Sequence, residues 1–299
     1  MQARRANVEK LLGKALDYHA SVKFERYKSK ARKVAGILSK APSISEVLSF
    51  GYPFYGKVNP SNKILRALLT ERHLLKNERY LAKFQPDIDF ILVFKTDETP
   101  RISKNWEKEF KNAFASETLA HEEKWSDISD KLEKQHNISF GENPVEEFAK
   151  GRVRLDKYPV PEKIWSKLHL LSTPEDRRIL PTTTTLLLYA AYPLTAHGLH
   201  RVPEQFRRNY LLHMLRKAPA SEGEILSSIL AGHPRRYHVE EFPSAGSFFK
   251  RSWQKIFDDV KSKGLVRREG GKLALSKKGA EHVRNLSDER RKVLKSLSR

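Results

Sequence analysis

Between Ser247 and Lys263 the apolar residues Phe249, Trp253, Ile256 and Val260 recur at intervals of 4, 3 and 4, which is one face of an α-helix. Ser247 is placed to cap its start and Gly264 sits where a helix ends on a glycine. Directly beyond, the short runs 265–268 and 272–275 flank Glu269-Gly270-Gly271, the turn chemistry of a tight β-hairpin. A helix over Pro203 to Lys217 and another over Ser221 to Leu230, stopped by Gly232, come before; a last helix over Lys278 to Leu286 follows. Two helices, an amphipathic basic helix, a hairpin and a closing helix are the order of a winged helix-turn-helix. That order constrains the last third of the chain more tightly than any other feature constrains the rest.

The preceding 200 residues read as helical. Residues 6 to 39 lack proline and carry Val8, Leu11, Leu12 and Ala15 on one side. Ser43 or Ser45 is placed to cap a short helix through Val47 and Leu48, and Pro60-Ser61 opens a long helical pattern that ends before Pro86. Ile88 to Phe94 fits a strand or a buried helical turn equally well. Ser103 to about Gln135 is helical and amphipathic, with Trp106, Phe110, Phe114, Leu119, Trp125, Ile128 and Leu132 among many Glu and Lys. The stretches 137–144 and 151–161, with their glycines and prolines, read as surface linkers. The expected fold is therefore mainly α: a basic N-terminal helix or arm over 1–45, a helical body over 46–200, and a winged-helix domain with a basic tail over 201–299.

Charge divides unevenly over these parts. The 299 residues hold 57 Lys and Arg against 36 Asp and Glu, a formal charge of +21, of which residues 1–60 supply +8, 61–200 supply +1 and 201–299 supply +12. Two basic ends on a neutral middle imply a polyanionic partner, because each phosphate contacted releases condensed counterion. In a winged helix the amphipathic helix and the hairpin face the nucleic acid, which nominates Lys250, Arg251, Gln254, Lys255 and Lys261 on the helix, and Arg267, Arg268 and Lys272 on the wing. Lysine and arginine are phosphate-contacting chemistry first, so structured RNA or duplex backbone is favoured over operator-style sequence readout.

Leu215-Arg216 at a helix end, Gly232 with Arg235 and Arg236, Gly246-Ser247 opening a helix that closes on Gly264-Leu265-Val266, Gly271-Lys272-Leu273 and Gly279 together resemble small-subunit ribosomal protein S nineteen-e of archaea and eukaryotes. The likeness covers residues 206–286. It implies a winged helix that binds ribosomal RNA, with Arg235, Arg236, Lys250, Arg251 and Lys255 on the RNA.

Other constellations carry less. Cysteine is absent, which excludes disulfides, Cys-ligated metal and thiol catalysis. Gly51-Tyr52-Pro53-Phe54-Tyr55-Gly56-Lys57 fits seven positions of a phosphate loop, but Val58 stands where the magnesium-reaching hydroxyl belongs, so its aromatics read as a core plug or stacking platform. His197, His200 and His213 lack a carboxylate partner in sequence and read as surface or capping residues. No serine elbow or recognisable acid pair stands out. The expectation is a non-catalytic RNA-binding protein without cofactor or metal, a component or assembly partner of a ribosomal particle alongside other proteins, with a duplex-DNA-binding winged helix as the alternative. No run is long enough for a membrane span, and an intracellular site is expected, with mitochondrion and cytoplasm both open.

Overall fold

The computed structural model describes residues 24–50, 87–97, 106–141, 144–171, 192–195, 201–231 and 243–297, together with 10, 14, 173, 174, 187 and 188. In chain order these form α1 (Phe24–Leu38), β1 (Ile44–Phe50), β2 (Asp87–Phe94), α2 (Trp106–Ala120), α3 (Glu122–His136), β3 (Ile138–Ser139), α4 (Pro144–Ala149), β4 (Val153–Pro161), α5 (Glu162–Trp165) and α6 (Leu168–Leu171). They continue as β5 (Tyr192–Pro193), α7 (Val202–Leu215), α8 (Glu222–Ala231), α9 (Pro243–Ser262), β6 (Val266–Glu269), β7 (Lys272–Leu275) and α10 (Lys277–Leu297). The chain is mostly helical, and no helix among the described residues is long and apolar enough to cross a membrane.

The middle of the chain departs from the expected helical body. It holds a five-stranded mixed sheet in the order β3-β4-β2-β1-β5. β1 runs antiparallel to β2 and β5, while β2 and β3 run parallel to β4. Two expectations fail here for identifiable reasons, and an open one is resolved. The serines at 43 and 45 do not cap a helix: Ile44–Phe50 is a strand whose seven residues are all buried. Burial on both faces erases the alternation that marks a strand in sequence. The stretch 151–161 is not a linker, because Val153–Pro161 pairs along its length with β2. Pro159 and Pro161 are tolerated there since β3 covers β4's other side only at Val153 and Arg154, so a missing N–H on that edge costs no ladder bond. Ile88 to Phe94, open between helix and strand, is strand.

The two faces of the sheet are covered by different helices. Val47, Ile88, Phe90, Leu92, Phe94 and Leu155 pack under α1, α3 and the second half of α2. Leu48, Phe50, Ile91, Val93 and Val160 face the other way, into a cluster with Ile164, Trp165, Leu168 and Leu171 that continues without a break through Phe206, Tyr210, Trp253 and Phe257. The Trp253 indole N–H donates to the Leu188 carbonyl at 3.1 Å. The C-terminal helices thus share one core with a sheet face, and that face carries the candidate site described below.

In the C-terminal region the stripe is as expected: Phe249, Trp253, Ile256 and Val260 are all buried, joined by Phe257. α9 begins at Pro243, a turn before the expected cap Ser247, with proline at the first helical position where its lacking N–H is no loss. Ser221 and Glu224 form a reciprocal capping box at α8, the Ser221 N–H donating to the Glu224 carboxylate at 2.7 Å and the Glu224 N–H to Ser221 Oγ at 3.2 Å. Gly270 and Gly271 both have positive φ, 53° and 79°, as the two-residue turn between β6 and β7 requires. Ala220 bridges Leu273, adding a third strand position to the hairpin. The final helix runs on to Leu297, so most of the basic tail is helical.

The packing of α10 against Leu265, the residue before β6, makes a strong stability prediction. At Gly279, in the first turn of α10, an added Cβ would stand 1.9 Å from the Leu265 carbonyl oxygen and 2.9 Å from its carbon. Backbone cannot yield as a side chain does, so Gly279→Ala is expected to destabilise the fold by about 3 kcal/mol. Urea unfolding of the variant beside the native chain measures it; a loss of under about 0.5 kcal/mol would show that α10 shifts freely past Leu265.

Candidate functional site

The sheet brings together acidic residues that are far apart in sequence. β2 begins Asp87-Ile88-Asp89, and the period of two puts positions 87 and 89 on one sheet face. The parallel pairing of β2 with β4 sets Asp89 opposite Asp156 and Asp87 opposite Arg154. On β1, Phe50 lies opposite Asp89. Position 89 shares its face with Ile91 and Val93, and position 156 with Tyr158 and Val160, so this is the face that meets the C-terminal helices. The Phe50 and Tyr158 rings, 5.3 Å between centroids, pack beside the acidic positions.

Their surroundings are graded. Asp89 is 2% exposed, and its carbonyl accepts a hydrogen bond from Ser49 Oγ at 3.2 Å. Asp156 is half-buried and ion-paired with the guanidinium of Arg154. Among the residues whose side chains are described, no group of three His, Asp or Glu is close enough to hold a metal ion; Asp87 is placed by strand register. The stretch Gly51 to Lys57 lies outside the described residues.

Further along β1 and opposite Val93 is Glu46, wholly buried. Burial pushes its carboxyl up to about 7, opposed by a hydrogen bond with Trp165. Because the folded-state value lies above the unfolded value of 4.5, the folded chain holds a proton that the unfolded chain gives up. Stability from this group is thus full below pH 4.5 and is lost as pH rises to about 7. Glu46→Gln keeps the shape without the ionisation. Between pH 4.5 and 8 it is expected to gain about 2 to 3 kcal/mol on the native chain in urea unfolding; a difference independent of pH would contradict it.

The nominated basic residues separate into two groups. Lys250, Arg251 and Lys255 are exposed on α9, and Arg268 is exposed on β6, each without an acidic partner among the described residues. Arg267 instead pairs with Glu269 at 2.6 Å, and Lys272 with Glu224 at 3.3 Å, tying β7 to the start of α8. The Glu224 carboxyl is held below its usual range by hydrogen bonds from the Ser221 backbone and side chain and by Lys272. On α9 itself, Lys261 pairs with Glu222 at 2.7 Å, and just past its end Lys263 pairs with Asp259 at 2.6 Å. The unneutralised charge of α9 is therefore concentrated in its first two-thirds. Arg235 and Arg236 lie outside the described residues, as do His197 and His200; His213 is half-buried on α7.

The acidic set is hidden in the sequence because its third member is supplied by a strand that resembles a linker. The signal available is Asp87-Ile88-Asp89 opening an apolar run, two carboxylates at strand spacing. Comparison of the chain with protein-family models, with curated proteins and with solved structures found no match.

Proposed function

We propose that this chain is a nucleotidyltransferase acting on nucleic acid, RNA in the first instance, with Asp87, Asp89 and Asp156 as the ligands of divalent cations. The observation that carries this reading is the register: two aspartates at strand spacing and a third directly opposite on the parallel neighbour. Carboxylate oxygens are the donors that Mg2+ and Mn2+ take, and two such ions close together stabilise both the attacking and the leaving oxygen of an in-line phosphoryl displacement. Asp89, the buried member, would hold its geometry most firmly; Asp156 would exchange its Arg154 partner for a cation.

The acceptor would be held by the C-terminal region, whose helices share a core with the acidic face. We read that region as a winged helix: α7, the Ala220 bridge, α8, α9, then β6 and β7 follow its order, and Lys250, Arg251, Lys255 and Arg268 offer charge for the backbone. Incubating the chain with labelled nucleoside triphosphates, Mg2+ or Mn2+, and a pool of structured RNAs tests the proposal. Label joined to RNA is expected; RNA binding without transfer under any of these conditions would overturn it.

A second reading has its own observation. The exposed cations of α9 would serve equally a non-catalytic RNA-binding component of a ribosomal particle, the role implied by the likeness to S nineteen-e. Duplex DNA of equal length, competed against the structured RNA, separates both from a transcription or replication role: a preference for RNA is expected.

A further inference from the structure

The cations of α9 have a counterpart on the other side of the sheet. α1 buries Ala31, Val34, Ala35 and Leu38 against the face opposite the one that receives Trp253 and Phe257. Its sequence carries Arg26, Lys28, Lys30, Arg32 and Lys33 against the single acid Glu25. Arg32 and Lys33 are exposed, as is Lys40 two residues past the helix end, and none of the three has an acidic partner among the described residues. On α3, which packs beside α1, Asp130 pairs with Lys134 at 2.6 Å and Glu133 with Arg152 at 2.6 Å, so these carboxylates are already taken. The local field reaches His136 at the end of α3: its imidazole is held below the usual range by burial and then by Lys30 and Lys33.

Gly36 gives this surface a second feature. The Lys40 N–H donates to the Ile37 carbonyl at 3.1 Å and continues the helical winding, so steps of four place Arg32, Gly36 and Lys40 along one line. Gly36 is exposed between the two cations. A Cβ added there meets nothing within 4 Å, so packing does not require glycine, although glycine weakens a helix relative to alanine. Bare backbone between cations lets an extended polyanion come close. The exposed positions Ser29, Arg32, Lys33 and Gly36 hold no large apolar side chain, while the apolar residues of α1 from Ala31 onward are buried on the sheet, unlike those of a helix that enters a lipid interface. We propose that Arg32, Lys33 and Lys40, around Gly36, form a second RNA-binding surface, which contacts the sugar-phosphate backbone of the same RNA that α9 holds. The choice of RNA rests on the function proposed above; the surface rests on its own residues.

Filter binding of structured RNA to the full chain across a salt series tests this. Arg32→Gln, Lys33→Gln and Lys40→Gln together are expected to weaken binding at least about tenfold and to lower the slope of log K against log salt by about 2 to 3. Gly36→Glu sets a carboxylate in the middle of the run at an open position, and glutamate suits a helix better than glycine, so the chain stays folded. It is expected to weaken binding at least about tenfold, and Gly36→Gln, the same size without the charge, by less than about threefold. Circular dichroism checks the fold of each variant. The proposal is overturned if the triple variant keeps the native affinity and slope, or if Gly36→Glu binds as the native chain does. It is overturned equally if the α1 substitutions leave RNA binding intact but abolish binding to phosphatidylserine vesicles, which would assign the surface to lipid. A native chain that binds RNA through α1 but transfers no nucleotide would overturn the proposed reaction and leave this surface standing.

Discussion

Replacing Lys250, Arg251 and Lys255 together by Gln lowers RNA affinity by about a hundredfold at physiological salt, at roughly 1 kcal/mol for each phosphate no longer held. These three are chosen because they are exposed and have no acidic partner among the described residues, whereas Lys261 and Lys263 nearby are already paired. The diagnostic is the salt dependence as much as the affinity. The slope of log K against log salt should fall in magnitude by about 2 to 3, since every phosphate left un-neutralised keeps most of one counterion that the native chain would release. The matching substitution Lys261→Gln should change the slope little and instead cost a fraction of a kcal/mol of stability through Glu222. Filter binding across a salt series measures both. If the triple variant kept the native slope, α9 would face protein and not nucleic acid.

The larger effect is expected at the sheet. Asp89→Asn should reduce nucleotidyl transfer by about a thousandfold or more, the equivalent of about 4 kcal/mol of charge stabilisation. RNA affinity in the absence of metal should be unchanged, because the basic surface of α9 is left intact. Asp89 is 2% exposed and Asn preserves its volume, so circular dichroism and the unfolding midpoint must accompany the assay. A folded Asp89→Asn variant with native transfer would exclude this carboxylate from the reaction. Asp156→Asn offers the companion case: it also removes the partner of Arg154, and the half-buried position tolerates the change more readily.

The two halves of the molecule differ in how far their sequences disclose them. The C-terminal elements are legible because each carries a local signal that tertiary structure reinforces. The Phe249, Trp253, Ile256, Val260 stripe is buried as its spacing requires, and Gly270-Gly271 supplies the two positive φ values of a tight turn. Basic charge is also legible as composition, but not which of its members are spent: Arg267 and Lys272 are indistinguishable from Arg268 until Glu269 and Glu224 are seen beside them.

The sheet is hidden for the opposite reason. β1 is buried on both faces and carries Ser45, Glu46 and Ser49 where a helical start signal is easily seen, while β4 ends with prolines at 159 and 161. β1 lacks the alternation that reports a half-exposed strand, and in β4 the alternation of Val153-Arg154-Leu155-Asp156 stops at Lys157, short of a full strand signal. The candidate site inherits that obscurity, since Asp87 and Asp89 become a set only when parallel pairing brings Asp156 alongside. Glu46, the buried acid with the raised pKa, shows no local signal at all; its environment is made by Val93 and Trp165 from other elements.

If three strand positions make a cation site, Mn2+ titration of the native chain, Asp89→Asn and Asp156→Asn, followed by calorimetry or by the paramagnetic signal of free Mn2+, shows it most directly. The native chain is predicted to bind one or two ions saturably, with both variants weakened at least about tenfold and still folded. Equal Mn2+ binding by all three chains, or none by the native chain, would contradict it.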